Sequence, residues 1–163
     1  MIDAVAFDLD GTLVRLPIDY GTLFEEFKRI MRIKNVRPLV DTVSKADGKT
    51  RELVFCAWET AELSVFKEVS INESGMKIYR MHADKRKALV TLQGKAVVDA
   101  ILRKFGLSFA AVVTREDALF RVDQLAKAAE QLKVKMPNLL FVGNTEGDAV
   151  AAKKLCCQFL MVE

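Results

Sequence analysis

Ala4-Val-Ala-Phe-Asp-Leu-Asp-Gly-Thr12 decides the fold. Ile2 to Phe7 is a short apolar run in which Ala4 and Ala6 separate larger side chains, and it stops abruptly at Asp8. A run of this kind predicts a strand buried on both faces at the centre of a sheet. Gly11 then supplies a turn and Thr12 a hydroxyl, so Asp8 and Asp10 fall in the loop at the strand's carboxyl end. Two carboxylates this close repel each other unless a cation or a proton offsets their charge. Mg²⁺ suits them, because it takes oxygen ligands, keeps some of its waters and commonly joins carboxylates to phosphate. The bland alternative is a solvated turn or helix cap, where Asp, Gly and Thr are common.

Outward from this strand, the chain first turns helical. Tyr20 to Ile33 carries Leu23, Phe24, Phe27, Ile30 and Met31 at helical spacing, with Glu25, Glu26, Lys28 and Arg29 among them. Leu39 to Ala46 is a short helix, and Lys49 to Val69 is a longer one with Val54, Trp58, Ala61 and Val65 on its apolar positions. Residues 15–82 therefore form a mostly helical insertion. A strand–helix rhythm follows: strand Ala88–Leu92, helix Gly94–Phe105 with Gly106 as its cap, strand Phe109–Val113, helix Val122–Leu132, strand Leu139–Val142, helix Glu146–Cys156 and strand Gln158–Val162. Strands separated by helices of this length predict an α/β fold with a doubly wound, five-stranded parallel sheet. Ligands of such sheets sit beyond the carboxyl ends of the strands. The polar residues there are Asp8, Asp10, Thr91, Thr114 to Asp117, and Asn144 to Asp148.

Composition excludes several classes. Hydrophobic residues make up 51% of the 163, enough for a packed core and too many for a disordered chain. The formal net charge of +3, from 25 basic against 22 acidic residues, does not suggest a nucleic-acid binder, and no basic–aromatic surface motif appears. Cys56, Cys156 and Cys157 have no metal-ligand spacing, and His82 is the single histidine, so a zinc site is not expected. Acidic residues begin at Asp3 and no apolar run reaches membrane-spanning length, so we expect no signal peptide, no membrane span and a reduced, cytoplasmic protein. The basic run Lys28, Arg29, Arg32, Lys34 and Arg37 reads as the wet face of a helix before it reads as a steering patch for an anion. Trp58, Phe55 and Phe66 read as packing residues.

The strand ends assemble into a pattern. Val5-Ala-Phe-Asp-Leu-Asp-Gly-Thr-Leu-Val14 resembles the first signature of the haloacid-dehalogenase-like (HAD) superfamily, and Ala88-Leu-Val-Thr91 resembles the second. Val112-Val-Thr-Arg-Glu-Asp117 resembles the approach to the third, and Leu140-Phe-Val-Gly-Asn-Thr-Glu-Gly-Asp148 resembles the fourth. The resemblance implies a Rossmannoid catalytic core over residues 1–14 and 83–163, with a small α-helical cap at 15–82. It implies a Mg²⁺-dependent phosphatase for a small phosphorylated metabolite, as a monomer or homodimer. Asp8 would be the nucleophile, forming an aspartyl-phosphate, and Asp10 the acid/base. Thr91 and Arg121 would bind the phosphoryl group. Asp8, the Asp10 carbonyl, Asp148 and Asn144 would surround the metal.

Two positions depart from the family pattern: Arg121 stands for a Lys, and Asn144 stands for an acid. Arg keeps the charge but changes the donor geometry. The substitutions leave open a binding or regulatory protein with weak or lost catalysis. The carboxylate pair alone also leaves open phosphotransfer or mutase chemistry within the superfamily.

Overall fold

In the computed structural model, which describes residues 1–163, the quoted stretch is the hub. Strand β1 (Ala4–Phe7) has all four residues at zero exposure. It lies at the middle of a five-stranded parallel sheet and pairs with β4 (Arg86–Val90) on one side and β6 (Leu139–Gly143) on the other. β5 (Ala111–Val113) and β7 (Gln158–Met161) are the edges, each parallel to its neighbour. The alternation along β1 explains the two layers. Val5 and Phe7 pack with Val97, Val98 and Ile101 of helix α5 (Lys95–Phe105). Ala4 and Ala6 face Leu125, Ala128 and Ala129 of α6 (Arg121–Leu132) and Ala151 and Ala152 of α7 (Glu146–Lys154). The small alanines of β1 meet the alanines of α6 and α7, which lets helix and sheet approach closely.

The expected α/β architecture is present. Gly106 ends α5 in the left-handed conformation at φ 63°, as the cap reading requires.

The helical insertion divides by packing. α1 (Tyr20–Met31), α2 (Leu39–Ser44) and α3 (Gly48–Ser64) enclose their own apolar cluster, built on Leu23, Phe27, Val36, Val43, Val54 and Trp58. α3 stops at Ser64, short of the expected Val69, where Phe66–Glu68 turns as a 3-10 segment. Residues 70–82 resolve into β3 (Ser70–Ile71), antiparallel to β2 (Val14–Arg15), and α4 (Glu73–Met81). Met76, Ile78 and Tyr79 of α4 pack with Val5, Phe7 and Leu13, so the apolar contacts group α4 with the sheet rather than with α1–α3. No helix is long and apolar enough to cross a membrane.

Candidate active site at the carboxyl edge of the sheet

The central strand ends at Asp8, and the chain turns at once. Gly11 sits at φ +81°, and a Cβ there would lie 2.1 Å from the Asn144 side-chain nitrogen, so the turn needs glycine twice over. Asn72, almost wholly buried, braces the turn by donating to the Gly11 carbonyl at 3.1 Å. The turn carries Asp10 to the same cavity as Asp8. That cavity measures about 410 Å³ and is also lined by Gln93, Arg121, Asn144 and Thr145 from the sheet edge. Tyr20, Phe24, Arg37, Leu39 and Trp58 from the insertion form its other wall. A larger hollow of about 730 Å³ between α1 and α3 contains no strand-end residue, so the carboxylates belong to the smaller one.

Asp8 is buried, and burial pushes its carboxyl up to about 6 against the pull of Arg121; Asp148 and Asp10 add to the rise. Burial also raises Asp10, although its carboxylate accepts the Leu16 backbone N–H at 2.9 Å. Arg121 joins two carboxylates. Its Nη2 donates to Asp8 Oδ1 and its Nε to Asp148 Oδ1, each at 2.9 Å. Nη1 donates to the Val90 carbonyl at 2.9 Å and to Gln124 Oε1 at 2.7 Å, and the guanidinium lies over Phe141. Four of its five N–H groups are thus engaged, and one on Nη2 remains. Gln124, wholly buried, is itself fixed by the carbonyls of Thr91 and Ala118.

Both oxygens of Asp148 accept hydrogen bonds from the chain itself. Oδ1 takes Arg121, and Oδ2 accepts the backbone N–H groups of Asn144 and Thr145 at 3.2 Å. Its own N–H goes to Thr145 Oγ1, completing a capping box at the start of α7. Asp148 thus caps α7 and holds Arg121 at the same time. No three His, Cys, Asp or Glu side chains converge as a metal cluster. Asp8 Oδ2 and Asn144 Oδ1 lie on either side of the Thr12 hydroxyl, at 3.4 and 3.3 Å. One carboxylate and one neutral amide oxygen fit a Mg²⁺ that keeps most of its waters. Asp148 fits that site only at one remove.

Thr91 is where it was expected, at the end of β4, but its hydroxyl is already engaged. It donates to Gln93 Oε1 and accepts the Gln93 N–H at 3.1 Å. The backbone N–H groups that open α5 are taken as well. Gly94 N–H goes to Glu62 of α3, and Lys95 N–H goes to Glu116. Two carboxylates of the chain itself thus fill this helix start. Lys28 and Arg29 pair with Glu25 and Glu26 on the outside of α1, as a wet face does. Arg37 of the same basic run instead lines the cavity, resting over Phe24. Trp58 and Phe55 pack in the insertion, and Phe66 packs against the sheet layer under Lys104. Gln93, Gln124 and Glu62 escaped the sequence reading, because nothing in their spacing marks them.

No protein-family model and no curated protein matches the sequence. Solved structures do match over almost its whole length. The chain is similar to a HAD-superfamily hydrolase of subfamily IA, variant 1, from Geobacter sulfurreducens, with 19% identity, a TM-score of 0.65, and coverage of 98% of this chain and 86% of that one. It is similar to a HAD phosphatase from Thermococcus onnurineus, with 19% identity, a TM-score of 0.68 and coverage of 99% and 86%. It is also similar to CbbY from Rhodobacter sphaeroides in complex with phosphate, with 16% identity, a TM-score of 0.68 and coverage of 99% and 86%. At these identities the likeness is one of fold. The fold is the HAD-like one, a Rossmannoid parallel sheet with a helical insertion after its first strand.

Proposed function

We propose that this protein is a Mg²⁺-dependent phosphohydrolase that cleaves a small phosphomonoester through an aspartyl-phosphate on Asp8. The observation that carries this reading is the pairing of Asp8 with Arg121 at the carboxyl end of the central strand, with Asp10 lining the same cavity. Residues 15–82 serve in this reading as the cap, and α1–α3 supply its wall over the site.

The residues divide the work. A carboxylate oxygen of Asp8 bonds to phosphorus while the ester P–O bond breaks. Asp10, whose proton affinity is raised by burial, gives its proton to the leaving oxygen. Asp10 then takes a proton from water as that water attacks phosphorus. The bond to Asp8 breaks and phosphate leaves, with Asp8 again a carboxylate and Asp10 again protonated. Arg121 holds Asp8 in place and offers its remaining N–H to the phosphoryl oxygens. Thr91 reaches the phosphoryl group by exchanging its Gln93 acceptor for a phosphate oxygen. Asp8, the Asp10 carbonyl and Asn144 would hold Mg²⁺, which when bound would supply charge to offset the repulsion between the carboxylate and the phosphate dianion.

A second reading, a HAD-like binding or regulatory protein without turnover, draws on Asn144 and on the closed Thr91–Gln93 pair. One experiment separates them: phosphate release from a panel of phosphomonoesters, with and without Mg²⁺. We expect release that needs Mg²⁺ and vanishes in Asp8→Asn. Folded wild-type protein that releases none from any of them overturns hydrolysis. Transfer to a second sugar phosphate instead of water identifies a mutase.

A further inference from the structure

Glu62 and Arg115 are both fully buried, and their side chains meet at 2.7 Å. Neither lines the catalytic cavity. Glu62 comes from α3 of the cap, and Arg115 from the loop after β5. Their other contacts converge on one short segment. The Glu62 oxygens accept the Gly94 N–H at 3.1 and 3.3 Å, and Arg115 Nη1 donates to the Leu92 carbonyl at 3.0 Å. Gly94 has no room for a side chain, since a Cβ would lie 2.5 Å from Arg115 Nη2. The Arg115 guanidinium is roofed by the cap aromatics, 4.5 Å from the Trp58 ring centre and 5.4 Å from that of Phe55.

The residue between these two anchors is Gln93. It holds the Thr91 hydroxyl from both sides, through its N–H and through its side-chain oxygen. A chain of contacts therefore runs from cap helix α3, through Glu62 and Arg115, to the backbone on either side of Gln93, and from Gln93 to Thr91.

We propose that Glu62 and Arg115 are positioning residues that clamp the cap onto the Thr91–Gly94 loop and thereby fix the phosphoryl-binding hydroxyl. The pair exists only while α3 lies on the loop. Separating them strands two buried charges without partners, so the seat of the cap and the shape of the loop are one structural event. Around Arg115, aromatic faces and the Leu92 carbonyl stand where water would be, while its Nε and Nη2 have no aligned hydrogen-bond acceptor, so the Glu62 charge is what compensates it. The phosphoryl role of the loop rests on the function proposed above. The clamp itself does not.

The test uses the full chain and the near-isosteric Glu62→Gln, which keeps an acceptor for Gly94 but loses the charge. Amide hydrogen exchange reads the clamp, and calorimetric binding of inorganic phosphate in Mg²⁺ reads the positioning. We expect the amides of residues 91–95 to exchange at least about tenfold faster in the variant, with β1 and β6 unchanged. We expect phosphate to bind about tenfold more weakly, and the charge-keeping Glu62→Asp to recover most of that loss. Asp8→Asn leaves the loop's protection intact. Unchanged exchange at 91–95 in Glu62→Gln overturns the clamp. Faster exchange with unchanged phosphate affinity overturns the positioning role. Wild-type protein that binds no phosphate but shows the exchange effect keeps the clamp and fails the functional reading instead.

Discussion

Asp8 carries a charge that the fold opposes. Burial raises its carboxyl from 3.8 to about 6, with Arg121 only partly compensating. The sign follows from linkage. Between these two values the native state holds a proton that the unfolded chain has released, so stability falls as pH rises through the interval. Above it the cost levels off at about 2–3 kcal/mol. Asp8→Asn carries no such charge. In EDTA, urea denaturation should find the variant about 2 kcal/mol more stable than wild type at pH 8, with the gap closing by pH 4. An equal gap at both values would sink the explanation. Asn144 is the complementary case. A carboxylate there joins Asp8 beside the Thr12 hydroxyl, so Asn144→Asp should bind Mg²⁺ about tenfold more tightly by calorimetry. Unaltered affinity would mean that residue 144 does not face the cation. Asp8 and Asn144 were legible because each directly follows a recognisable strand, and Asp10 because it lies in the turn just beyond one. Glu62 was not, because its partner Gly94 lies 32 residues away and no local pattern announces the meeting.

At the scale of elements, the strands and long helices were legible because the sheet buries them on both faces or on one regular stripe. β3 and α4 were not. Two residues of strand carry no alternation, and the short helix takes its seat from tertiary contact. That seat is tight. A Cβ on Gly75 would lie 1.8 Å from the Thr12 carbonyl oxygen and 2.7 Å from its carbon, both backbone atoms of the turn that carries Asp10. Helix propensity favours alanine over glycine by about 1 kcal/mol. The clash outweighs it, because the turn cannot yield without moving Asp10. Gly75→Ala should therefore lose about 2–4 kcal/mol in denaturation. Gly48, at the start of α3, has nothing within 4 Å of its Cβ position and supplies the control. Gly48→Ala should be neutral or gain up to about 1 kcal/mol. If both variants behave alike, the close approach of α4 to the turn is not what selects glycine at 75.

At the scale of the molecule, three apolar clusters share one chain. Two flank the sheet with 16 and 15 buried residues, while that of α1–α3 has six, too few to hold a unit of its own. The smaller cluster leans on the core through Leu92 and Leu119, which pack against it, and through the Glu62–Arg115 pair. Its melting should thus be tied to that of the sheet. The single tryptophan, Trp58, sits in this cluster and reports on it alone, while far-UV circular dichroism reports on all the helices and strands. In wild-type protein the two signals should follow one denaturation curve. In Glu62→Ala the Arg115 charge is left buried beside Trp58 without its partner, so the cost falls on the joint between cap and core. The fluorescence midpoint should then drop below the circular-dichroism midpoint, the cap loosening while the sheet stands. Coincident curves in the variant, shifted together, would show instead that the small cluster has no separable stability and that the joint is simply part of one core.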